Sequence, residues 1–143
     1  MLVAVDSSAL VKLVLVEEGS DLARLVWQEA DRVVATRLAR IESASAVAAA
    51  RRDHRIRRAG ERRAHAELES LWLDIDVHEL TPRVEYDATK LARSHAISGA
   101  DAVHVAVAIE LEVPLVTWDR RQAEAATSEG LHVIPQGETA AFR

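Results

Sequence analysis

Two aspartates stand directly after apolar, strand-like runs: Asp6 after LVAV and Asp119 after PLVTW. Two more acids, Glu42 in ARIESASAVA and Asp101 in ISGADAVHVAVA, lie in helical patterns. If these four carboxylates converge, they form a set of hard oxygen donors, which suits Mg²⁺ or Mn²⁺ better than zinc. The chain has no cysteine, so thiolate sites, disulfides and cysteine nucleophiles are excluded. Two carboxylates about 4 Å apart repel by roughly 4 kcal/mol at an effective dielectric near 20, so such a cluster requires a cation or a proton. A magnesium ion retains waters, one of which can attack a phosphodiester while the ion stabilises charge on the phosphate. Each acid also has a plainer reading. Asp6 and Asp119 precede helices and Asp101 could cap one, and aspartate is a favoured helix N-cap. Spacing alone does not decide between the two.

The elements that would carry these residues alternate between short β-rich runs and longer helical patterns. Strands are predicted at 2–5, 33–36, 75–80, 113–117 and 131–134. Helices are predicted at 9–18, 21–30, 101–111 and 120–129, with another opening at Thr81-Pro82. A long alanine-rich helix is expected from about Leu38 to Arg58, with Gly60 breaking or bending it before a further helix ends near Leu73. The tail from Pro135 is weakly specified. This alternation implies a three-layer α/β fold: a central parallel sheet of about five strands with helices on both faces. In such sheets function sits beyond the carboxyl ends of the strands, where Asp6 and Asp119 would lie.

Taken together and in this order, VAVDSSALVKL, ARIESASAVA, ISGADAVHVAVA and PLVTWDRR resemble the PIN domain, in particular VapC-type toxins. The resemblance runs from Met1 to about Ile134, consistent with one domain over residues 1–143. It implies a metal-dependent ribonuclease that leaves a 5′-phosphate and a 3′-hydroxyl. Asp6, Glu42, Asp101 and Asp119 would form the acidic metal and catalytic site, with Mg²⁺ or Mn²⁺ as cofactor. Ser7 and Thr117 match small hydroxyl residues beside it. Some relatives carry a further acid just after the fourth; here Arg120, Arg121 and Gln122 follow, which bears on a second metal position. The resemblance also implies a VapB-like antitoxin partner, an RNA substrate and a homodimer.

The formal net charge is −5, which by itself argues against nucleic acid, but the charge is uneven. Residues 51–63 hold seven arginines against Asp53 and Glu61, a local +5 that leaves −10 on the rest. Arg51, Arg55 and Arg58 recur at helical spacing and are expected to form one stripe, either a solvated face or a grip on RNA phosphates or protein. His104, three residues after Asp101, is expected to be a half-buried helix residue rather than a ligand. Trp118 should point away from the site, and Trp27 and Trp72 read as core or interface. With 49% hydrophobic residues and no apolar run of membrane-spanning length, the sequence reads as a soluble, cytoplasmic domain. A signalling receiver domain is disfavoured, because no second acid follows Asp6 and neither Lys12 nor Lys90 follows a strand. A non-catalytic PIN-like binding module would not need all four acids, and a flap-type nuclease would need insertions to thread DNA.

Overall fold

A computed structural model describes residues 1–135. Among these, five strands are present: β1 (Leu2–Val5), β2 (Arg32–Ala35), β3 (Ile75–Val77), β4 (Leu115–Val116) and β5 (Val133–Ile134). They pair in parallel in the order β3-β2-β1-β4-β5. The helices are α1 (Ser7–Val14), α2 (Ser20–Glu29), α3 (Arg37–Arg52), α4 (Arg58–Leu73), α5 (Pro82–Ser94), α6 (Gly99–Leu111) and α7 (Arg120–Ser128). Most of the weakly specified tail lies outside the described residues.

Alternation along β1 divides the core in two. Val3 and Val5 face a cluster built with α1 to α4, whereas Ala4 faces a second cluster built with α5 to α7. Along β2, Val33 and Ala35 join the first cluster and Val34 the second, following the two-residue period of a pleated strand. The helix α6 has apolar residues on every side, and its Ala102 and the run Val105 to Ala108 are almost fully buried. A helix apolar all round belongs inside a domain, here beneath the sheet's second face. Among the described residues, no helix is long and apolar enough to cross a membrane.

Strand order reverses direction at β1, with β2 on one side and β4 on the other. Their pairing brings Val5 level with Val116, so the chain leaves both strands side by side, at Asp6 and at Thr117 to Asp119. A switch point of this kind opens a crevice beyond the carboxyl ends of the strands.

One helix expectation is corrected. The alanine-rich helix ends at Arg52, and a turn over 53–57 separates it from α4, which contains Gly60 without a break. His54 in that turn adopts φ 59°, a left-handed conformation that stops the helix. Arg51 therefore closes α3, Arg55 lies in the turn and Arg58 opens α4, so the three do not share one helical stripe. The first helix, expected to run to 18, ends at Val14, and Gly19 precedes α2 at φ 90°. A Cβ there would meet Trp118 Nε1 at 2.6 Å, so only glycine lets the indole pack so close.

Candidate active site

Asp6 leaves β1 as the N-cap of α1 and is 1% exposed. Its Oδ1 accepts from Ala9 N–H at 3.0 Å and from the Ser8 hydroxyl at 2.7 Å, and its Oδ2 accepts from the Thr117 hydroxyl at 2.6 Å. Ser8 Oγ in turn accepts from Trp118 N–H, and Thr117 Oγ1 from Asp119 N–H. The ends of β1 and β4 are thus tied by hydroxyls that also aim Asp6. The two hydroxyls bonded to the Asp6 carboxylate are those of Thr117 and Ser8. Ser7 instead lines a neighbouring cleft with Ser8, Val11, Lys12, Glu17, Ala46 and Arg55.

Asp119 caps α7, accepting from Gln122 N–H at 2.9 Å. Asp101 does not cap α6; that role falls to Ser98, which accepts from Asp101 N–H, leaving the Asp101 carboxylate in the first turn. Gln122, 1% exposed, donates from Nε2 to Asp101 Oδ1 at 3.1 Å. One residue thus grips two acids, through its backbone and through its side chain. Glu42 lies on α3, in the opposite layer from Asp101, and its Oε1 accepts from His104 Nε2 at 2.6 Å. His104 is not half-buried: it is 2% exposed, and its Nδ1 lies 3.2 Å from the Thr36 hydroxyl at the end of β2.

Each of the four carboxylates is therefore held by at least one fixed donor. Among the described residues, no hydrogen bond reaches Glu42 Oε2, Asp101 Oδ2 or Asp119 Oδ2, and Asp6 Oδ2 takes only one. No lysine or arginine among them pairs with any of the four, although Arg32, Arg37 and Arg40 pair with the acids Asp76, Glu79 and Glu69. The charges of Asp119 and Glu42 act on Asp101, and His104 acts on both Asp101 and Asp6. Burial raises the pKa of Asp101, and the charges of Asp119 and, more weakly, Glu42 raise it further, against the lowering effect of the Ser98 bond and His104. Burial also raises the pKa of Asp6, outweighing the hydrogen bonds from Thr117, Ser8 and Ala9 and the influence of His104.

The donor set fits a hard divalent cation. It supplies several carboxylate oxygens with open lone pairs, an excess of negative charge and no basic partner besides His104. Among the described residues, no three His, Asp or Glu side chains are grouped closely enough to hold a metal ion as they stand. Magnesium keeps several waters and is commonly held by only one or two carboxylates. His104 and Gln122 were not anticipated as parts of the site. The one available signal was a polar side chain placed inside an otherwise apolar helix, as His104 is in DAVHVAVA.

Asp6 and Asp119 thus stand at the carboxyl edge of the sheet beside its switch point, where folds of this kind bind their ligands. The PIN domain family model matches residues 3–127, and the chain belongs to that family. It is 41% identical over 137 residues to ribonuclease VapC45 and to ribonuclease VapC49, both of Mycobacterium tuberculosis, covering 94% of this chain and 95% of each relative. Among solved structures, the fold is similar to PAE2754 of Pyrobaculum aerophilum, with a TM-score of 0.69 at 20% identity over 94% of this chain and 90% of that one. PIN-domain ribonucleases generally depend on a divalent metal.

The raised pKa of Asp101 has a stability consequence. The folded protein holds this proton more tightly than the unfolded chain, so its contribution favours folding below the ordinary aspartate value of 3.8 and is lost as pH rises through the raised value. In metal-free protein at neutral pH, Asp101→Asn should therefore unfold at higher urea concentration than the parent, keeping the Gln122 bond. The advantage should shrink as pH falls toward the ordinary value. Urea midpoints in EDTA across that range measure it, and an Asn variant less stable at neutral pH contradicts it.

Proposed function

We propose that the protein is a metal-dependent endoribonuclease that acts as the toxin of a VapBC-type pair, with Asp6, Glu42, Asp101 and Asp119 as its metal-binding and catalytic residues. The observation that carries this reading is a set of four carboxylates, each gripped by a buried or backbone donor and none neutralised by lysine or arginine. Mg²⁺ or Mn²⁺ bound there would supply charge neutralisation and an activated water for attack on phosphorus. The protein's own part is to aim the carboxylates. Ser8 and Thr117 fix Asp6, Gln122 fixes Asp101 and Asp119, and His104 fixes Glu42.

Ribonuclease VapC45 and ribonuclease VapC49 support RNA as substrate. An antitoxin partner is supported by the fold's similarity to a complex described as VapBC2 from Rickettsia felis bound to a promoter DNA fragment, with a TM-score of 0.64. We propose a VapB-like antitoxin that covers the acidic crevice, a homodimeric assembly and a cytoplasmic location, which suits a chain without cysteine. Of the three arginines singled out above, Arg55 is the best placed for RNA, because it is exposed and lines the cleft that begins at Ser7 and Ser8 beside Asp6. Arg51 and Arg58 flank it from separate helices and extend the positive field.

Two outcomes follow. RNA cleavage should require Mg²⁺ or Mn²⁺ and stop in EDTA. Asp6→Asn should lower it by at least ~100-fold, the scale seen when one charge-stabilising group leaves an active site. A gel-based cleavage assay checks both; chelation-resistant cleavage or an active Asn variant removes the assignment. The Arg55→Ala protein should bind RNA more weakly, with a log–log salt slope shallower by about one. An unchanged slope assigns Arg55 to solvent or to a protein contact.

A further inference from the structure

The core of the site contains a chain of polar groups that runs between the two helical layers. Ala39 N–H donates to Thr36 Oγ1 at 3.4 Å as the cap of α3, and the same oxygen lies 3.2 Å from His104 Nδ1. At the other end of the ring, His104 Nε2 stands 2.6 Å from Glu42 Oε1. Glu42 as a carboxylate can only accept, so Nε2 carries a proton that points at it. Neutral imidazole then accepts at Nδ1 from the Thr36 hydroxyl, and imidazolium donates to it; both arrangements leave the Nε2–H on Glu42. The ring itself is 2% exposed. Glu42 is different: its side chain is 32% exposed, so without a partner it would sample several rotamers.

We propose that His104 is a positioning residue for the metal site, holding the Glu42 carboxylate in place so that it governs metal affinity through Glu42. The inference rests on the metal reading above and adds a role for a residue outside the four acids. Its physical basis is the general effect of outer partners, which orient a ligand and reduce the entropy lost when it engages the ion. The bond also joins α6 to α3 across the sheet edge, coupling the layer that bears Asp101 to the layer that bears Glu42.

The test is Mn²⁺ binding by calorimetry to the full chain, with urea unfolding in EDTA as the record of folding. His104→Leu fills much of the ring's space without a donor, and its Mn²⁺ affinity should fall roughly 10–100-fold. His104→Gln can present an amide N–H near the place of Nε2 and should retain most of the affinity. The His104→Leu/Glu42→Gln double variant should bind no more weakly than Glu42→Gln alone, because both changes remove the same contribution. If the losses multiply, or if a folded His104→Leu protein binds as the parent does, the proposal is overturned while the metal site stands. If His104→Leu does not fold, Thr36→Val keeps the ring but frees Nδ1; weaker binding supports the proposal and parental affinity overturns it. A parent chain that binds no Mn²⁺ overturns the metal reading itself, and this role with it.

Discussion

The cost of keeping acids charged at a partly buried sheet edge is the constraint on which the site depends. Asp101 feels the charges of Asp119 and Glu42, and burial adds to the cost of ionising both Asp6 and Asp101. A soluble domain usually disposes of such a cost by pairing acids with lysine or arginine, as this chain does at Arg37–Glu79 and Arg40–Glu69. Here, among the described residues, the only basic side chain bonded to one of the four acids is His104, at Glu42. The remaining stabilisation comes from neutral donors and from helix ends. Asp6 and Asp119 cap α1 and α7, and Asp101 sits in the first turn of α6, so the positive ends of three helix dipoles meet the acids. These contributions tolerate the charge without cancelling it.

The parallel sheet makes this arrangement available. Every strand runs the same way, so every following helix begins at the same edge, and the reversal at β1 opens a crevice there. Glu42 comes from the layer of α1 to α4, while Asp101 and Asp119 come from the layer of α6 and α7. Short polar bridges keep the layers in register: Thr117 to Asp6 between strand ends, Gln122 to Asp101 between helices, and His104 to Glu42 across the sheet. Each bridge is at least partly buried, where an unmade hydrogen bond is costly. The same contacts therefore hold the fold together at this edge and orient the carboxylates.

The sequence made some of this legible for clear physical reasons. Asp6 and Asp119 follow apolar strands and open helices, a local pattern that fixes both the sheet edge and the cap. Ser8 rather than Ser7 bonds to Asp6 because an N-cap carboxylate faces the second and third residues of its helix; that offset was readable and was missed by one position. Glu42 could be placed on a helix, but its meeting with His104 depends on how two layers pack across a sheet, which no local period encodes. The break after Arg52 was misplaced because Gly60 is the conspicuous helix breaker, whereas the turn is made by His54 in a left-handed conformation that glycine would ordinarily occupy. Gln122 was noted only as a missing acid. Its role as a donor to two acids follows from its burial on α7, a tertiary property.

The most direct test of the claim that these acids form one cation site is to titrate Mn²⁺ into isotopically labelled protein and follow paramagnetic broadening of each backbone amide. Amides around Asp6, Glu42, Asp101 and Asp119 should broaden together at the lowest Mn²⁺ concentrations, and EDTA should restore them. Broadening that begins at exposed acids such as Asp21 or Asp53, or that leaves the β1 and β4 ends sharp, would contradict the account.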